Sequence, residues 1–230
     1  MVAETLAQAE FDFLLLDGEH SPAHTDLIGS LLTATDLHGC PVIYRVRANR
    51  DDLIKGALDA GVTGIMVPMV NSADDARRAA AATKYPPDGT RGFGPWRASN
   101  YYLDVPNYMK SANSSNTVIL QIESISALRD IAGIADVPQA DVLFVGPADL
   151  ALSMNLPLGT QNAQMRDAFK VVVDAARKSG KAAGIDLTSL DLLPSYLELG
   201  FTFFTYGADT SFLIDGARAA HEDFRLKAAR

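Results

Sequence analysis

Short runs of apolar, β-branched and aromatic residues alternate along the chain with longer stretches whose apolar positions follow the helical period of about 3.6 residues. Seven runs read as strands, at 11–17, 41–46, 64–68, 118–124, 141–146, 182–186 and 201–206. Most are apolar on both faces, as expected of parallel strands covered on two sides. The longer stretches predict helices near 25–37, 51–59, 73–84, 125–134, 165–178, 190–199 and 211–227. Ser72 stands at a capping position, and Gly61, Gly180 and Gly200 each close a helix before a strand. Repeated units of this size predict a parallel sheet with right-handed crossovers.

The polar residues decide between an open sheet and a closed barrel. Asp17, His20, Arg45, Glu123, Asp149, Asp186 and Tyr206 all end or follow a strand, spread over the whole chain. Barrel enzymes place their chemistry at that rim. Neither a dinucleotide-binding glycine motif after the first strand nor a phosphate-binding loop is present. The expected fold is an α/β barrel of the TIM (β/α)8 type. Seven strands are counted rather than eight, and the helical stretch 3–10 opens the chain, so the first strand of a complete barrel is missing before it. With 230 residues and no linker or low-complexity segment, positions 1–230 read as a single barrel domain.

Composition narrows the partners. A hydrophobic content of 48% is ample for a large core, and the net charge of −8 argues against nucleic acid or an anionic membrane surface. Cys40 is the single cysteine, which excludes an internal disulfide and reads as a small apolar strand residue. No apolar run reaches the roughly 18 residues of a membrane helix. The first ten residues lack the basic and apolar regions of a signal peptide, so the expected location is the cytoplasm.

Two carboxylates carry the strongest chemical signal. Glu123 and Asp149 each follow an apolar run, one strand–helix unit apart, and neighbouring parallel strands would bring them to the same rim. Paired buried acids repel unless a cation or proton is shared. The oxygen-rich pair suits a hard divalent ion, Mg²⁺ or Mn²⁺ with Co²⁺ as a further candidate, acting as Lewis acid on a carbonyl. A lone histidine is usually structural, but His20 follows Asp17-Gly18-Glu19 in an acidic turn at the rim, which favours a general base. His24, His38 and His221 read as surface residues. Arg45 ends a strand, where a guanidinium is costly unless it binds an anion or steadies an oxyanion. The irregular stretch 85–116, with Arg91-Gly92-Phe93-Gly94-Pro95-Trp96-Arg97, reads as a substrate lid or an interface segment.

Together these residues resemble the metal-dependent pyruvate aldolases that include 4-hydroxy-2-oxoheptanedioate aldolase and 2-dehydro-3-deoxyglucarate aldolase, within the citrate-lyase-beta-like superfamily. The resemblance spans most of the chain, through Asp17-Gly18-Glu19-His20, Arg45-Val46, Leu58-Asp59-Ala60-Gly61, Val67-Pro68-Met69-Val70, Tyr85-Pro86-Pro87 with Arg91-Gly92, Gln121-Ile122-Glu123 and Gly146-Pro147-Ala148-Asp149-Leu150. It implies an eight-stranded barrel binding a divalent metal through Glu123 and Asp149. Pyruvate would sit against Gln121, Gly146, Pro147 and Ala148, with Arg45 at its enolate oxygen and His20 in proton transfer. Asp59 matches a carboxylate that reaches a neighbouring subunit's histidine, and Leu187 lies in the region that would set aldehyde specificity. The resemblance also implies a homo-oligomer, typically a hexamer of dimers that exchange a C-terminal helix. The chain departs from the family in the absent first strand and in Arg45-Val46-Arg47, where Arg-Val-Pro is usual. The implied reaction is reversible cleavage of a 4-hydroxy-2-oxo acid to pyruvate and an aldehyde. Alternatives are an acyl-thioester lyase of the citrate-lyase-beta kind, which would want a basic cleft, and a catalytically inert barrel paralogue.

Overall fold

A computed structural model describes residues 1–22, 25–159 and 162–229. His24 lies outside the described residues. The chain opens with α1 (Val2–Ala7), β1 (Leu14–Asp17), α2 (Thr25–Asp36), β2 (Val42–Arg45), α3 (Asp51–Ala60), β3 (Gly64–Val67) and α4 (Ala73–Thr83). It continues through α5 (Val105–Ser111), β4 (Thr117–Ile122), α6 (Ile125–Arg129), α7 (Ile131–Ala135), β5 (Val142–Val145) and α8 (Pro147–Ser153). It closes with α9 (Ala163–Lys178), β6 (Ala182–Leu187), a 3-10 turn (Leu190–Leu192), α10 (Leu193–Leu199), β7 (Phe203–Tyr206) and α11 (Asp209–Ala228).

The seven strands pair in chain order, each parallel to the next. Strand alternation sorts their side chains into two cores. Ile43, Met66, Ile119, Val142 and Phe144 fill the inside of the sheet, while Tyr44, Ile65, Leu120, Leu143 and Ile185 pack outward under the helices. That double burial is why the strands read as apolar on both faces. The sheet curls into a nearly closed barrel. Phe13 beside β1 and Phe203 of β7 stack with ring centroids 4.8 Å apart, bridging the two edge strands at the position an eighth strand would take.

Local signals explain most element ends. Ser72 accepts from the Asp75 amide at 3.1 Å to cap α4, and Gly61 and Gly200 end α3 and α10 with φ of 99° and 105°. The helix expected over 125–134 is split into α6 and α7 at Asp130, whose carboxylate turns aside to accept from the Ala73 amide at 2.6 Å. The structure adds two helices to those the periodicity predicts. One is α5, inside the stretch expected to be irregular. The other is α8, which starts with proline directly after β5 and takes Asp149 into its first turn. α11 is exposed along its length, with Leu213, Phe224 and Leu226 in solvent and Phe212 resting against Phe11 and Tyr206. Among the described residues no helix is long and apolar enough to cross a membrane.

Candidate active site

The C-terminal ends of the strands open onto a cavity of about 380 Å³. Asp17 and Arg45 lie opposite each other in the β1–β2 register. Arg45 donates to both oxygens of Asp17, Nε to Oδ1 at 2.9 Å and Nη2 to Oδ2 at 2.7 Å. Burial works to raise the Asp17 pKa, but the hydrogen bonds and charge of Arg45, with the Glu19 and His20 amides, outweigh it and hold the carboxyl below its usual range. Those amides donate to Asp17 Oδ1 at 2.9 and 3.2 Å, an Asx-type turn that throws the chain from β1 across the mouth. Gly18 is required in that turn, since a Cβ there would lie 2.1 Å from the Tyr44 hydroxyl.

The turn delivers Glu19 and His20. Glu19 Oε2 lies 3.4 Å from Arg45 Nη1 and 3.7 Å from His20 Nε2, yet has no hydrogen-bond partner. Burial raises its pKa, with Asp17 and Asp149 adding to the push and Arg45 and His20 opposing it. The His20 side chain is exposed and lines the cavity.

Glu123 follows β4 and is buried, with 3% of its surface exposed. Its Oε1 accepts from the Met69 amide at 2.6 Å, and its Oε2 accepts from Gln121 Nε2. Met69 holds a left-handed φ of 53° while offering that amide, a conformation costly for a non-glycine residue. Burial raises the Glu123 pKa, and Glu19 and Asp149 raise it further, against the two donated hydrogen bonds. Asp149 is exposed in the first turn of α8 and lines the cavity, as do Gln121, Gly146, Pro147 and Ala148. Gly146 passes so close to the acid that a Cβ would lie 2.6 Å from Glu123 Oε2 and 3.0 Å from Gln121 Nε2.

The observed donor set fits a hard cation. Two buried oxygens, Glu19 Oε2 and Gln121 Oε1, lack partners, and Glu123, Glu19 and Asp149 repel one another across the mouth. Glu123 and Asp149 are the carboxylates that could hold such an ion. Among the described residues no three His, Cys, Asp or Glu side chains converge on one point, so the remaining coordination would come from water or substrate.

Leu187, and Asp59, which was expected to face a neighbouring subunit, do not line this cavity. Asp59 sits on α3, where it accepts from Arg91 Nη2 at 2.7 Å. The guanidinium of Arg91 is fully buried over the Tyr85 ring, 4.5 Å from its centroid. The Leu187 side chain points outward into the helix-covered core, because its neighbour Asp186 takes the inward position. The 85–116 segment lies along α3, with Arg97 bonded to Asp36 and the Ala98 amide to the Asp59 carbonyl, so it does not cap this cavity as a lid would. Conversely, the sequence presents Asp17 and Glu19 only as the acidic setting of His20, whereas the structure joins both to Arg45 and adds the Met69 amide as a donor to Glu123. An Asp-Gly pair directly after a strand was the available signal for the first two. Nothing local marks the third.

The sequence profile of the HpcH/HpaI aldolase/citrate lyase family matches residues 1–216. A 4-hydroxy-2-oxo-heptane-1,7-dioate aldolase of Salmonella heidelberg (strain SL476) is 39% identical over 218 residues, covering 94% of this chain and 83% of the relative. An HpcH/HpaI aldolase/citrate lyase family protein of Burkholderia cenocepacia J2315 superposes with a TM-score of 0.91 at 35% identity, covering 97% of this chain and 89% of the other. Macrophomate synthase superposes with a TM-score of 0.85 at 27% identity, over 100% of this chain and 82% of its own. A profile matched through all seven strands, and a relative this similar over nearly the whole chain, leave one assignment: the chain belongs to the HpcH/HpaI aldolase/citrate lyase family.

Proposed function

We propose that the chain is a divalent-metal-dependent pyruvate aldolase, reversibly cleaving 4-hydroxy-2-oxo acids to pyruvate and an aldehyde. The carrying observation is the mouth cluster, in which the buried Glu123 and the half-buried Glu19 repel each other and face a guanidinium locked in place by Asp17. A Mg²⁺ or Mn²⁺ ion held by Glu123 and Asp149 would supply Lewis acidity toward the 2-oxo acid.

Cleavage requires a proton to leave the 4-hydroxyl while the bond between carbons 3 and 4 breaks. The bonding electrons pass to the pyruvate enolate, and carbon 3 is then protonated. His20, exposed at the mouth and beside Glu19, is the group available to accept the hydroxyl proton, directly or through water. Arg45 is fixed in orientation and offers positive charge where the enolate oxygen develops. The amide of Gln121 and the turn Gly146–Ala148 supply the wall against which the small 2-oxo acid would rest. An acyl-thioester substrate is disfavoured, since Arg45 is the one lysine or arginine among the described cavity-lining residues. The exposed apolar side chains of α11, Leu213, Phe224 and Leu226, support assembly into a homo-oligomer such as a hexamer.

The test is pyruvate release from a 4-hydroxy-2-oxo acid with and without added Mg²⁺ or Mn²⁺. Cation-stimulated release is expected. No release from a panel of chain lengths would end the reading.

A further inference from the structure

The β6–β7 wall of the cavity carries an inward polar group that the proposed chemistry leaves unused. Asp186 and Thr205 are register partners, and Thr205 Oγ1 donates to Asp186 Oδ1 at 2.6 Å. Both line the cavity, together with Thr188. Among the described residues Asp186 has no ion pair, and Arg45, the one fixed cation of the lining, is already engaged by Asp17 and Glu19.

This wall adjoins the turn after β5, because Val145 lies opposite Ile185 in the β5–β6 register. A 2-oxo acid resting against Gly146–Ala148 therefore carries its distal carbons into the space that Asp186 borders. An ionised carboxylate only accepts hydrogen bonds. It would receive a substrate hydroxyl favourably, and it would oppose a second carboxylate brought into the same partly desolvated space.

We propose that Asp186, steadied by Thr205, selects the aldehyde half of the substrate, favouring hydroxylated aldehydes and rejecting those that end in a carboxylate. This rests on the aldolase reading above. It sets the chain apart in specificity from relatives named for a heptane-1,7-dioate. Cleavage of that compound between carbons 3 and 4 would release 4-oxobutanoate, whose carboxylate would meet Asp186 with no unengaged lysine or arginine among the described lining residues to receive it.

The experiment measures aldol addition of pyruvate, with Mn²⁺ present, to glyceraldehyde, butanal and 4-oxobutanoate, comparing kcat/KM. Glyceraldehyde should exceed 4-oxobutanoate by about tenfold or more, with butanal, the uncharged aldehyde of equal length, in between. Asp186→Asn should narrow the glyceraldehyde-to-4-oxobutanoate ratio by about tenfold. If that variant fails to fold, the wild-type comparison of butanal with 4-oxobutanoate decides the matter. Wild-type preference for 4-oxobutanoate, or an unchanged ratio in a folded Asp186→Asn, overturns the inference while the aldolase reading stands. Absence of product with every aldehyde overturns both.

Discussion

Asp17 and Arg45 face each other across β1 and β2, and the carboxylate grips the guanidinium through two hydrogen bonds of 2.9 and 2.7 Å. A pair fixed at both ends leaves Arg45 little freedom to follow Glu19, so its remaining edge is held toward the cavity. Asp17→Asn keeps an oxygen for the Glu19 and His20 amides but removes the charge that holds Arg45. We expect a rise in KM for the 2-oxo acid and a fall in kcat, together about 100-fold in kcat/KM. The circular dichroism spectrum should stay native. Wild-type kinetics in this variant would show that Arg45 needs no such restraint.

The acidic mouth makes stability depend on both pH and cation. Burial raises the pKa of Glu123 and Glu19 above their ordinary value of 4.5. The folded state then holds protons that the unfolded chain has released, so their contribution to stability falls as pH rises from 4.5 through the raised values. Asp17 is shifted the other way, and its contribution is lost only as pH falls below the ordinary carboxylate range. Adding Mn²⁺ at pH 8 should raise Tm by about 3 °C, and by less at pH 5, where protons compete for the same oxygens.

Glu123→Gln removes the charge without removing the shape. The unpartnered Oε1 of Gln121 can turn to accept from the new amide, so the variant should fold. Its Tm in cation-free buffer at pH 8 should equal or exceed that of the wild type, its response to Mn²⁺ should vanish, and pyruvate release should fall by about 100-fold or more. A retained thermal response to Mn²⁺ would place the ion elsewhere.

Gly146→Ala tests the close approach of the β5 turn to the acid. The added methyl would sit 2.6 Å from Glu123 Oε2, which must move with Gln121 or displace the turn that starts α8. We expect at least a tenfold loss of kcat/KM, about 1.4 kcal/mol in transition-state stabilisation, with weakened cation affinity. Calorimetric titration with Mn²⁺ checks the second effect.

Asp59→Asn probes the buried ion pair on the outside of the barrel. The Arg91 guanidinium has no exposed surface, and its Nε and Nη1 already lack partners, so losing the Asp59 charge leaves a cation under the 85–116 segment uncompensated. Destabilisation of about 3 kcal/mol, or about 9 °C in Tm, is expected from thermal unfolding. Arg91→Met in the same background should recover part of it.

The chain's apolar patterning by itself determined the seven parallel strands, most helices, the glycine caps and the rim on which the polar residues gather. These follow from periodicity and local backbone chemistry, which act between residues close in sequence. It also marked Glu123, Asp149, Arg45 and His20, because each stands at or just past the end of an apolar strand, the rim where barrel enzymes place their chemistry. Only the tertiary structure decided which of these groups meet and which do not. The Asp17–Arg45 grip is a cross-strand register contact, the Met69 amide reaches Glu123 from the neighbouring strand end, and Gly146 presses on that acid from the other side. It likewise turned Leu187 out and Asp186 in, and paired Asp59 with Arg91. Those outcomes depend on strand phase and on contacts between residues far apart in sequence, which local patterns do not encode.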